Sequence, residues 1–246
     1  MRLVLEIEDG LRVSAEKAFV LATMLKLRGV LLPWSAVAAE PAELTEAEAG
    51  RLRQAASAAG VTITGLTRVM AGTEHRLAGG DTSRAAALAR LQVAVRLCTE
   101  LDARLVCLEL PAPKALRGKL RPDQARTLAA EVLRRCGPLA ESRRMTFCVS
   151  GGGRGSAEKL VRQADHPNIR LACDAAALRQ LAQPARDARL VRARLVRARL
   201  GDDPRLLGRL LGALGYEHWL SLRLGGDEAD AAAARAWLKE LRSAAE

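Results

Sequence analysis

Two carboxylates in this chain close apolar runs. Glu109 ends Val106-Cys107-Leu108-Glu109 just before Leu110-Pro111, and Asp174 ends Ile169-Arg170-Leu171-Ala172-Cys173-Asp174. A carboxylate at the end of a buried strand can accept or return a proton. It can equally form an ion pair at the rim of the fold, and Asp174 could instead cap the helix that follows. Arg199 and Arg223 stand at corresponding places in two later apolar runs, where paired guanidinium groups would suit a phosphate or a carboxylate. The alternative is that Arg197 and Arg199 belong to a solvated segment of an arginine-rich protein. The loop Ser150-Gly151-Gly152-Gly153-Arg154-Gly155-Ser156 joins a strand end to a helix start, so its backbone N–H groups, Ser150 and Arg154 could cradle an anion. It lacks the GK[ST] of a phosphate-binding P-loop, and a plain connector is the competing reading. His75, in the polar loop 67–80, and Trp34, directly after an apolar run, complete the set that could touch a ligand. Exposure of His75 and rim packing of Trp34 are the structural alternatives.

These residues need elements to position them, and the chain repeats one grammar. Leu3-Val4-Leu5-Glu6-Ile7 reads as a strand, a helix begins near Ser14, and Gly29 stops it before Val30-Leu31-Leu32-Pro33. Thr45-Glu46-Ala47-Glu48 is a capping box, and Val61 to Leu66 is the strand after its helix. A helix capped by Asp81-Thr82-Ser83 leads to a fourth strand over 104–110. A helix from Pro122, with a kink or break expected at Pro138, leads to a fifth over 145–150. The sixth strand is 169–174. The segment Ala188 to Arg197 repeats ARLVR with a period of five, which fits neither helix nor strand, and the seventh strand is placed at Leu195 to Leu200. Asp203-Pro204 starts a helix, His218 to Leu224 is the eighth strand, and a helix from Asp227 closes the chain. Eight strand–helix repeats in 246 residues predict an α/β fold, a single (β/α)8 TIM barrel spanning residues 1–246 as one domain. No GxGxxG follows the first strand, which disfavours an open dinucleotide-binding sheet.

Composition narrows the class. No run of about 18 apolar residues is present, and Glu6 and Glu8 interrupt the segment that a signal peptide needs, so a cytoplasmic protein without membrane contact is expected. Five cysteines (Cys98, Cys107, Cys136, Cys148, Cys173) without CxxC spacing read as reduced core residues. A net charge of +11 raises nucleic acid as a partner. Against it, the arginines are spread along most helices, and only 2% of residues are aromatic, which leaves little for base stacking. Nothing in the sequence sets the oligomeric state.

Three segments carry a family resemblance: Ala58-Ala59-Gly60-Val61, His166-Pro167-Asn168-Ile169 leading to Asp174, and Leu214-Gly215-Tyr216-Glu217-His218-Trp219-Leu220-Ser221-Leu222. With them the chain resembles the xylose isomerase-like TIM-barrel superfamily, which includes sugar phosphate isomerases/epimerases and endonuclease IV-type DNA-repair enzymes. The resemblance implies divalent cations held by carboxylates and histidines at the C-terminal ends of the strands. In this sequence the strand-five glutamate falls on Ser150, the strand-six acid on Asp174, and the histidine three residues later on Ala177. The strand-seven motif falls on Leu195-Val196-Arg197-Ala198-Arg199-Leu200-Gly201-Asp202, so that arginine replaces the ligand histidine while the terminal acid remains, and the strand-eight glutamate falls on Arg223. Arginine cannot ligate a metal at ordinary pH. The expectation is therefore no cofactor and an eroded metal site, with an anionic small molecule (sugar phosphate or carboxylate) bound at a basic C-terminal mouth. In that expectation Asp174 or Glu109 moves a proton if the barrel is catalytic. Two alternatives stand beside it: a noncatalytic, partner-binding barrel whose mouth is filled by its own side chains, and an endonuclease-like nucleic-acid binder.

Overall fold

The computed structural model describes residues 1–8, 13–38, 40–71, 77–110, 121–152, 155–175, 193–224 and 228–245. Eight strands pair in chain order and close into a barrel: β1 Arg2–Ile7, β2 Gly29–Pro33, β3 Thr62–Thr67, β4 Leu105–Leu110, β5 Thr146–Gly151, β6 Ile169–Asp174, β7 Ala193–Arg199 and β8 Trp219–Leu224. Every pairing is parallel, including the closure of β1 on β8. The helices are α1 Ala15–Met24, α2 Trp34–Val37, α3 Glu46–Ala58, α4 Asp81–Glu100, α5 Pro122–Ser142, α6 Ser156–Ala164, α7 Pro204–Ala213 and α8 Glu228–Ala245. None of them is long and apolar enough to cross a membrane.

The caps form as the sequence leads one to expect. Ser14 accepts from Lys17 N, Thr45 and Glu48 exchange the two bonds of a capping box, and Asp203 accepts from Arg205 N and Leu206 N with Pro204 in the first turn. Three local expectations differ. Gly29 does not stop α1, which ends at Met24 with Lys26 as the left-handed residue of the turn; Gly29 is the first residue of β2, where an added Cβ would lie 2.5 Å from Thr64 Oγ1. Gly80 takes the N-cap position, so Asp81 lies inside the first turn of α4. Helix α5 also continues unbroken through Pro138. Beside it Gly137 makes room for the His166 ring, where an added Cβ would lie 2.4 Å from Cδ2.

Five helices end in the same turn before the next strand. The N–H of Leu27, Val61, Ala103, Met145 and Tyr216 donates to the carbonyl five residues earlier at 2.7–3.0 Å. The residue just before each has positive φ: Lys26 55°, Gly60 71°, Asp102 52°, Arg144 54° and Gly215 57°. These are Schellman endings, and they set each helix antiparallel to the strand it introduces.

Alternation along the strands divides the core. Outward residues such as Leu5, Ile7, Val106, Val149, Val196 and Leu222 join the large cluster under the helices. Inward residues Val4, Leu31, Leu105, Cys107, Cys148, Ala172 and Leu195, with Trp219 against them, form a separate apolar plug inside the barrel. The repeated ARLVR resolves in the same way: β7 starts at Ala193, earlier than expected, and presents Leu195, Arg197 and Arg199 inward, with Val196 and Ala198 outward.

Candidate functional site

One strand step above the apolar plug, toward the C-terminal ends, the inward positions become polar. Glu6 of β1, Ser150 of β5, Arg197 of β7 and Ser221 of β8 are all buried. Strand register places them together: Arg197 is the Cα partner of both Asp174 and Ser221, while Arg223 is the partner of Glu6 and Arg199.

Glu6 and Arg197 anchor this layer. Arg197 Nε lies 3.3 Å from Glu6 Oε2, and both side chains are 1% exposed. The Ser221 hydroxyl donates to the same Oε2 at 2.6 Å, and Arg223 Nε donates to Glu6 Oε1 at 2.9 Å. Arg197 NH1 donates to Glu109 Oε1 at 2.8 Å and to Ser150 Oγ at 2.7 Å. Arg223 NH2 also donates to Glu109 Oε1, so both guanidinium groups converge on one oxygen. Two carboxylates and two arginines from β1, β4, β7 and β8 thus form a charge-balanced network across the barrel. Arg197 NH2 is buried without a hydrogen-bond partner, leaving a donor of this guanidinium unused.

The network sets its own ionisation. Burial would raise the Glu109 pKa, but Arg197 and Arg223 outweigh it and hold the carboxyl below its ordinary range. Burial would lower Arg197, and Glu6, Cys107, Glu109 and Asp174 together push it up. The same contest, with Glu6 the main opposing charge, raises Arg223. Beneath Arg197, Cys107 is lowered first by a hydrogen bond from Cys148 and then, against burial, by the guanidinium charge.

The expected site residues divide into groups. Glu109, Arg223 and Ser150 come together in the network. Asp174 and Arg199 stand one step outward: Asp174 is exposed beside Arg197, and Arg199 pairs with Glu8 at 3.0 Å with its side chain 65% exposed. Arg199 and Arg223 are register partners on neighbouring strands, as expected, yet their guanidinium groups are bound to different carboxylates. Trp34 is buried at the end of β2 under the Arg90 guanidinium, 4.7 Å from the ring centroid. Arg154 and His75 lie outside the described residues, as does Ala177. Sequence reasoning missed Glu6, Arg197 and Ser221 as members of the site. The available signal was a charged residue inside an apolar run, Glu6 in β1 and Arg197 in β7, and its inward direction is readable only once strand register is known; Ser221 carried no such signal.

Among the described residues no three His, Cys, Asp or Glu side chains gather as a metal site. Comparison with known proteins places the fold. The sequence model of the xylose isomerase-like TIM-barrel family matches residues 21–206. No curated protein sequence matches the chain. Among solved structures, D-psicose 3-epimerase from Clostridium cellulolyticum H10 superposes with a TM-score of 0.81 at 15% identity, covering 100% of both chains. A 3-keto-D-glucoside 4-epimerase from E. coli gives 0.74 at 13% identity over 99% of each. A xylose isomerase domain protein from Alicyclobacillus acidocaldarius gives 0.69 at 15% identity over 100% of this chain and 99% of that one. At such identities the neighbours speak for the barrel, and the match over most of the sequence carries the conclusion that the chain belongs to the xylose isomerase-like TIM-barrel family.

Proposed function

We propose that this chain is a sugar isomerase/epimerase-like barrel that works without a divalent metal. Buried Arg197 and its partly exposed neighbour Arg223 take the cation's place, and the C-terminal mouth takes a small anionic molecule, a sugar phosphate or a carboxylate. The observation that carries this reading is the Glu6–Arg197–Glu109–Arg223 network. A divalent cation needs several free oxygen or nitrogen donors. The residues at the family's ligand positions do not fit one: Ser150 and Asp174 are the only oxygen donors there, and Arg197 and Arg223 bring fixed positive charge. The carboxylates inside the barrel, Glu6 and Glu109, are already held by guanidinium groups.

The same groups supply the chemistry. Fixed guanidinium charge can stabilise an oxyanion in a water-poor layer, and Arg223, whose side chain is 12% exposed, presents that charge to the mouth above the fully buried Arg197. Glu109, kept ionised and 34% exposed, has Oε1 anchored by both arginines, which leaves Oε2 as the proton acceptor. Arg199, exposed at the rim and paired with Glu8, exchanges that partner for the ligand's anionic group.

The test is calorimetric titration of the purified protein with Mn2+ and with a panel of sugar phosphates and sugar acids. A sugar phosphate that binds and weakens on Arg199→Gln, with no heat from Mn2+, is the expected outcome. Stoichiometric Mn2+ binding, or silence from the whole panel, would overturn the reading.

A second reading, a noncatalytic partner-binding barrel, draws on the same network, because its side chains close the inner mouth. Proton NMR in D2O separates the two. Exchange of the hydrogen next to a ketose carbonyl belongs to the catalytic barrel, and binding without exchange to the noncatalytic one.

A further inference from the structure

We propose that the N-terminal face of the barrel, opposite the mouth, docks the phosphate backbone of duplex nucleic acid. The basic residues concerned are far apart in sequence, and the barrel brings them to one face. Lys26 and Arg28 lie in the α1–β2 turn, Arg104 after α4, and Arg143 and Arg144 in the α5–β5 turn. Arg2 and Arg170 stand at the starts of β1 and β6. All are exposed. Because the eight strands are parallel in a closed barrel, their N-terminal ends share one face.

The charge on this face is not balanced, and most of it is not internally paired. Its turns also hold Asp102, Glu141, Asp165 and Glu217, fewer acids than bases. Only Asp102 meets one of the arginines named, Arg104, at 3.0 Å. Glu141 faces His166 at 3.8 Å. Among the described residues, Lys26, Arg28, Arg143, Arg144 and Arg170 form no ion pair. The arginines of the mouth, by contrast, pair with Glu6, Glu8 and Glu109. On the outer helices some arginines pair, as Arg96 with Glu100 and Arg162 with Glu158, and others such as Arg135 and Arg235 form no ion pair among the described residues, so what sets this face apart is the gathering of its charges on one side of the barrel.

Guanidinium groups bind phosphate oxygens in a fork, and a row of phosphates that releases counterions rewards several spaced cations more than a single anion does. The scarcity of aromatic residues, 2% of the chain, argues against stacking on single strands and for contact with a duplex backbone irrespective of sequence. A lipid surface fits less well. The exposed large apolar side chains among the described residues are Met1, Val20 and Met24, too few to form the apolar face that enters a bilayer.

The test compares two triple variants of equal net charge by fluorescence anisotropy, using a labelled duplex of arbitrary sequence about 20 base pairs long. One is Arg28→Glu/Arg144→Glu/Arg170→Glu on this face. The other is Arg51→Glu/Arg135→Glu/Arg235→Glu on the outer helices. Circular dichroism and melting establish that both fold, and the corresponding Arg→Gln triples serve if a reversal variant does not. With about four to five phosphate contacts, log affinity of the wild type should fall with log salt at a slope of about −4. The face variant should lose more than about tenfold in affinity and flatten that slope, and the helix variant should stay within about threefold. Three outcomes overturn the proposal: no duplex binding by the wild type in low salt, equal loss in both variants, or tighter binding to phosphatidylserine vesicles than to the duplex. None of these measurements depends on what the mouth binds, so this proposal and the metal-free mouth stand or fall separately.

Discussion

Glu6 and Arg197 meet inside the barrel at 3.3 Å, with Oε2 facing Nε, although β8 separates their strands. Both side chains are 1% exposed, so neither charge is screened by bulk water. An ion pair so placed is weak support for stability, because desolvation opposes the attraction, but each partner is indispensable to the other.

Glu6→Gln should therefore destabilise the fold by up to about 3–5 kcal/mol, because it leaves buried Arg197 with Glu109 as its one remaining carboxylate partner, which Arg223 shares. The double variant Glu6→Leu/Arg197→Met should recover most of that loss. Urea unfolding of the wild type, both single variants and the double variant measures it. A double variant as unstable as either single one would show that the pair is not the coupled unit.

Acid should weaken the network through Glu109. Its pKa in the fold lies below the ordinary 4.5, so the folded state binds this proton less readily than the unfolded chain. The stabilisation is then fully present above that ordinary value and is lost as pH falls through the folded one. Melting temperatures of the wild type and Glu109→Gln should differ at pH 7 and converge as the pH drops below about 4. A gap that stays constant down to the lowest pH would remove Glu109 ionisation as its source.

If arginine has displaced the metal, restoring the family's ligand types should bring it back. Ser150→Glu/Arg197→His/Arg223→Glu, with Asp174 unchanged, should bind Mn2+ and gain about 2.7 kcal/mol of stability at a hundredfold excess over its dissociation constant. The wild type should show no such gain. Thermal shift with and without Mn2+ reads both, and a triple variant that folds yet ignores Mn2+ would count against the ligand correspondence.

Lys26 and Arg144 occupy left-handed positions, at φ 55° and 54°, that favour glycine. Replacing either by Gly should relieve that strain and, after the entropy that glycine adds to the unfolded chain, stabilise by about 0.5–1 kcal/mol. Denaturant midpoints measure it. A loss of stability would mean that the side chain makes a compensating contact in the turn.

Local patterns determined much of this protein in advance. Caps at Ser14, Thr45 and Asp203 and apolar runs spaced by amphipathic helices were enough for eight strands and a barrel, because capping and periodicity act over a few residues. The correspondence of Ser150 and Arg223 to the family's ligand positions comes from their place in a motif, and the metal-free reading proposed above rests on it. The pairing of charges could not be read locally. Glu6 reads as an interruption in an N-terminal apolar stretch and Arg197 as part of a repeat, and only closure of β1 on β8 beside β7 puts them face to face. A basic mouth was the natural expectation from counting arginines at strand ends. The tertiary structure adds Glu6 and Glu8, whose inward direction depends on strand register, and these balance the mouth. The same closure gathers dispersed basic turns onto the opposite face. Sequence separation hides such groupings, since which charges become neighbours is decided by register around a closed sheet.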